Sequence, residues 1–211
     1  MTRNTLKRAG LAATAAALAF GASPASAVTV SSGDTPLLFT WSYSSSAGLL
    51  TGSGSMTVSG WGTSSLTTLI YLSNTSGLSS NRLTSFGFGI NPDATGISFS
   101  DTADGGMVNA SLANIPSLAT IEVCAFGGPN CSGGGSGGIL GGASDTFSII
   151  LAGTWGTSVD IDPIGFKYQT GAGSFEFTTS SGGSVPEPGT LSLLGLGLLG
   201  IGFMRRARKA A

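Results

Sequence analysis

Alternation constrains this chain more than any other feature. Between residues 28 and 184, Phe39, Trp41 and Tyr43 alternate with Thr40, Ser42 and Ser44, and Phe86, Phe88 and Ile90 alternate with Ser85, Gly87 and Gly89. The same beat returns at Phe147-Ile149-Leu151, Ile164-Phe166-Tyr168 and Phe175-Phe177, and less cleanly at Leu66, Thr68, Ile70 and Leu72. Successive side chains of an extended strand point to opposite faces, so a period of two sends one face inward and the other toward water. No sustained helical stripe runs through this stretch, and Gly, Ser, Asn and Pro interrupt it at short intervals. Roughly 157 residues suffice for one core. The expected fold is all-β: a single antiparallel β-sandwich of jelly-roll type over residues 28–184.

Composition narrows what such a body can do. The chain has no histidine, which removes the usual general base, the Ser-His-Asp and Cys-His arrangements, and every zinc site needing imidazole. Thirty-five glycines and 9% charged residues are unlike a helical enzyme, while 41% hydrophobic residues is too many for a disordered chain. The formal charge of −1 is an average over unlike pieces. Residues 1–27 hold Arg3, Lys7 and Arg8, residues 190–211 hold Arg205, Arg206, Arg208 and Lys209, and neither end has an acid. Between 28 and 189, ten carboxylates therefore face only Arg82 and Lys167, two bases against ten acids for a net of −8. Nucleic acid is not an expected partner, because phosphate binding needs clustered Lys and Arg.

Both ends read as addresses. Arg3, Lys7 and Arg8 precede an apolar stretch from Ala9 to Phe20, and small residues at Ala25 and Ala27 fit signal peptidase. This predicts a signal peptide over 1–27 and a mature start at Val28. At the other end, Val185-Pro186-Glu187-Pro188-Gly189 leads into an uncharged run from Thr190 to Met204 and then Arg205-Arg206-Ala207-Arg208-Lys209. The two prolines forbid regular helix and display Glu187 on an extended segment. Residues 190–204 are expected to anchor in the membrane as a helix, short of the ~20 residues of a full span but lengthened by snorkelling arginines, with the positive end cytoplasmic. Within that run, Gly195-Leu196-Gly197-Leu198-Leu199-Gly200 matches the dinucleotide-binding spacing. It has no preceding strand and no acid about twenty positions on, so small residues at membrane-helix spacing account for it better.

The Pro-Glu-Pro segment, apolar run and arginine cluster of residues 185–211 resemble the PEP-CTERM sorting signal of Gram-negative bacteria. The resemblance implies processing by exosortase, a membrane enzyme thought to cut near the motif, with Pro186, Glu187 and Pro188 as substrate residues rather than catalytic ones. It implies export across the inner membrane, transient anchoring, and delivery to the cell surface or the extracellular space. The interior, through Asn81–Phe88, Ile121–Cys124, Cys131 and its glycines, Phe166–Gly171 and Gly173–Phe177, resembles the cistern subgroup of that family over roughly residues 81–177.

The body offers few chemical groups. Cys124 and Cys131 enclose a short loop whose Gly127, Gly128 and Pro129 can turn tightly. In an oxidising compartment the pair is expected to form a disulfide, contributing about 2.5 kcal/mol in the chain-entropy account. The following run from Ser132 to Gly138 has no lysine for a phosphate loop and reads as a flexible surface loop. Trp41, Trp61 and Trp155 could stack on sugars if exposed in a row, but aromatics at period two more often fill a core. Asp101 with Asp104, and Asp160 with Asp162, are weak calcium candidates that match no EF-hand spacing. Glu122 with Glu176 could form a glycosidase pair only at about 5–10 Å separation. The expectation is an exported, non-enzymatic structural protein without a cofactor, associated with exopolysaccharide or biofilm. The alternative is a carbohydrate- or calcium-binding surface module.

Overall fold

A computed structural model of the chain describes residues 27–101 and 106–179. The expected signal and membrane helices lie outside these residues. Twelve strands follow in chain order among the described residues: β1 (Val28–Ser31), β2 (Leu37–Ser45), β3 (Gly48–Trp61), β4 (Ser65–Asn74), β5 (Arg82–Asn91), β6 (Gly96–Asp101), β7 (Asn109–Leu112), β8 (Val123–Phe126), β9 (Ile139–Leu140), β10 (Ser144–Ala152), β11 (Ser158–Thr170) and β12 (Gly173–Thr179). They form two antiparallel sheets. One has five strands in the order β2-β3-β4-β10-β6, and the other has seven, β1-β11-β5-β8-β7 with β12 beside β11 and β9 beside β5. From β4 onward the chain crosses repeatedly between sheets, from β4 to β5, from β6 to β7 and from β10 to β11, so pairs such as β4-β10 and β5-β11 join distant parts of the sequence.

Alternating apolar positions from both sheets meet in one core. Phe39 stacks on Phe86 at 5.7 Å between ring centroids, and Trp41 on Phe166 at 4.2 Å. Space for the β2 rings comes from the neighbouring strand. Gly52 and Gly54 lie in register with Trp41 and Phe39, and a Cβ at either glycine would overlap the facing ring. A polar chain ties the two sheets through this core. Trp41 Nε1–H donates to Tyr168 Oη at 2.9 Å, and Tyr168 Oη–H donates to Asn74 Oδ1 at 3.1 Å. Asn74 Nδ2 then donates to the carbonyls of Asn81 and Ile139. Buried hydroxyl, indole and amide groups are costly unless bonded, so this chain specifies how the sheets sit on one another. Trp41 and Trp155 are buried and Trp61 packs half-buried against the same core, so the tryptophans are interior residues rather than an exposed row.

The expectation of one wet face per strand fails for β5 and β11. Ser85, Gly87, Gly89 and Lys167, all out of phase with the core residues, are buried as well. The cause is a layer of loops over the outer face of the seven-stranded sheet. Ile115, Ile121, Cys124, Phe126 and Cys131 form a second apolar cluster there, joined by Ala113 and Leu118. Ile121 lies against Gly87 and Gly165, where side chains would push it away.

Candidate functional site

The loop layer is pinned by covalent and polar ties. Cys124 and Cys131 form the expected disulfide, with Cα atoms 6.1 Å apart. Ser85 Oγ–H donates to the Cys131 carbonyl at 3.1 Å, joining β5 to the same turn. The glycine run is a loop, as expected, but it lies down on the sheet. Gly133, Gly134, Gly135 and Gly138 adopt positive φ, and Gly133 closes over the aliphatic part of Lys167. Lys167 Nζ donates to Glu176 Oε1 in an ion pair between adjacent strands, with side-chain exposures of 7% and 14%. Lys167 is thus one of the body's two bases and is consumed internally.

Four other acids gather at one end of this sheet. Asp93, Glu122, Asp160 and Asp162 line a cleft of about 290 Å³ together with Gly89, Asn91 and Thr120. Two cis prolyl bonds, Asn91-Pro92 and Asp162-Pro163, turn the chain at its rim. Glu122 Oε2 accepts from the Ile90 N–H at 3.4 Å, and Asp160 Oδ1 accepts from Thr29 Oγ1 at 2.7 Å. A shallower groove of about 510 Å³ adjoins it, sharing Asp93 and Glu122 and adding Leu112 and Asn114. The lining holds no Lys or Arg, so the cleft disfavours anions.

The sequence-level candidates are partly brought together. Asp160 and Asp162 share the cleft, whereas Asp101 ends β6 in the opposite sheet and Asp104 lies outside the described residues. Among the described residues, no group of three or more His, Cys, Asp or Glu is arranged to hold a metal ion. Glu122 and Glu176 do not flank a common site. Glu176 pairs with Lys167 opposite Ser85, whereas Glu122 contacts Ile90, five residues along β5 and therefore about 17 Å away. The sequence pairs Glu122 with the wrong acid and gives no sign of Asp93, because only the fold of the Asn91–Asp93 turn and the 113–122 loop juxtaposes the two.

The remaining candidates fall in the termini. Ala27 and Val28 begin the described body, with Val28 opening β1 against Ile161. Ala25, Pro186, Glu187, Pro188 and the apolar run 190–204 lie outside the described residues. No helix among the described residues is long and apolar enough to cross a membrane. Compared with known protein families, residues 184–209 match the PEP-CTERM protein-sorting motif. The match covers the Pro-Glu-Pro segment, the apolar run and the basic cluster, and it supports an exported chain anchored in a membrane before exosortase acts on it. No curated protein and no solved structure matches the chain.

Proposed function

We propose that this chain is a non-enzymatic surface protein, exported by its N-terminal signal, held by its tail, processed by exosortase near Glu187, and delivered to the cell surface or an exopolysaccharide matrix. The observation that carries this reading is the sorting motif over residues 184–209. Supporting it are the export-type pattern of residues 1–27, a disulfide suited to an oxidising compartment, and a histidine-free body. Pro186, Glu187 and Pro188 act as substrate for the processing enzyme, and residues 190–204 hold the chain in the inner membrane until the cut. We read the interleaved strand order as a jelly roll with an added β2-β3 hairpin. The body's lack of cationic patches favours an uncharged matrix polymer over a polyanion as its neighbour.

Replacing Pro186, Glu187 and Pro188 with alanine and fractionating the cells tests the sorting role. Full-length chain should accumulate in the inner membrane, and the processed form should vanish from the outer fractions. Unchanged processing and delivery would refute the reading.

A further inference from the structure

Among the described residues, the outer face of the five-stranded sheet carries no charge. Its strands contain only two charged residues, Asp101 and Asp145; Asp145 is buried, and Asp101 is in register with buried Phe147, so both sit on the core-facing side. Every other carboxylate among the described residues lies in or beside the seven-stranded sheet. The outward positions are mostly Ser and Thr, with exposed apolar side chains at Leu69 and Tyr71 on β4, at Leu38 on β2 beside Ser55, at Leu49 on β3 and at Ile150 on β10. Ser55, Tyr71 and Thr146 lie side by side in one row, and Thr57, Leu69 and Ser148 in the next. Each row therefore runs hydroxyl, apolar side chain, hydroxyl. Tyr71 and Leu69 are 40% and 43% exposed, and the flanking Ser55, Thr57, Thr146 and Ser148 are half-buried or exposed.

We propose that this face binds an uncharged polysaccharide laid along β4, a proposal that rests on the matrix-associated reading above and names its contact surface. A pyranose ring is itself amphipathic, with a face of C–H groups and a rim of hydroxyls. Tyr71 and Leu69 receive the C–H face, and the β3 and β10 hydroxyls receive the rim. Adjacent strands lie about 4.8 Å apart, so the two hydroxyl rails stand about 10 Å from one another, spanning one ring with a hydroxyl at each edge. Charge selects the partner. A polyanion meets a body that sets nine acids against two bases and finds no cation among the described residues of this face, and a polycation is drawn to the acidic cleft of the other sheet. A neutral polymer alone loses nothing here.

The test measures binding of the processed chain, purified from the outer fractions of the cells, to an insoluble neutral β-glucan, a neutral α-glucan and a polyuronate, with sedimentation in parallel. Binding to a neutral glucan that is indifferent to added salt is expected, with none to the polyuronate. Tyr71→Ala should weaken it about tenfold, in line with one lost aromatic stacking contact, and Thr146→Glu should weaken it further. Both variants should melt with the parent, because the altered side chains are exposed, and Asp160→Ala in the opposite sheet should bind normally. The proposal is overturned if the parent binds neither neutral glucan, if both variants bind as the parent does, or if their sole effect is to dissolve a dimer built on this face. A chain that is sorted normally yet binds no glucan defeats this proposal alone, whereas failed sorting with intact binding defeats the sorting role and leaves this one standing.

Discussion

The two sheets share one core but treat their outer faces in opposite ways. The seven-stranded sheet places Lys167, Ser85, Gly87 and Gly165 outward and then covers them with the 113–122 loop, the disulfide turn and the glycine run. The five-stranded sheet places Ser, Thr, Leu69 and Tyr71 outward and, among the described residues, leaves them open. A covering loop needs close approach, which the glycines permit, and polar anchors, which Lys167 and Ser85 supply. An open face needs neither, and its hydroxyls stay available to a partner. The difference separates a face sealed by its own loops from one that, among the described residues, carries no cover.

The sharpest way to break this contrast is to remove the buried base. Lys167→Ala should destabilise the fold by about 3 kcal/mol, because Glu176 would be left charged and nearly buried. A matching truncation on the open face, Ser148→Ala, should stay within about 0.5 kcal/mol. Chemical denaturation of both variants decides it, and comparable losses would erase the distinction.

The joint between the sheets gives the next largest effect. Burial pushes the Tyr168 hydroxyl up to about 12, against a partial lowering by its hydrogen bonds with Ser76 and Trp41. The unfolded chain releases this proton near pH 10 while the folded chain holds it, so the stabilisation is complete below pH 10 and is lost as pH rises toward 12. The loss amounts to roughly 2–3 kcal/mol. Tyr168→Phe should flatten this alkaline slope in a denaturation series across that window, and an unchanged slope would remove Tyr168 as its origin.

A smaller effect probes the cover itself. Gly87→Val should force Ile121 off β5 and cost about 1–3 kcal/mol, raising amide exchange across residues 113–122. Ser55→Val, at an equally central position of the open sheet, should leave both stability and exchange near the parent values.

Legibility in the sequence followed the range of the interaction. The inward sets of β2, β4 and β10 were readable, since Phe39 and Trp41, Ile70 and Leu72, and Phe147, Ile149 and Leu151 are all buried as alternation predicts. The disulfide was readable because Cys124 and Cys131 are seven residues apart and have no other cysteine to join. The double burial of β5 and β11 was not, because the covering loop comes from residues 113–138 and nothing within either strand announces it. The open face was half visible. Ser and Thr alternate with apolar residues in β2, β3 and β10, but which strands lie side by side, and so which hydroxyls flank Tyr71, depends on pairing β4 with β10 across some seventy residues.

By itself, then, the sequence determined the strand habit, the side of each strand that seeks the core, the cysteine pair and the sorting motif at 184–209. All of these are written in residues close together along the chain, where side-chain period and motif spacing act directly. Only the tertiary structure decided which outer face is sealed and which is open, and that Asp93, Glu122, Asp160 and Asp162 share one cleft. Those outcomes depend on contacts such as Trp41 with Tyr168, 127 residues apart. They are settled by the joint packing of both sheets, which no local pattern encodes.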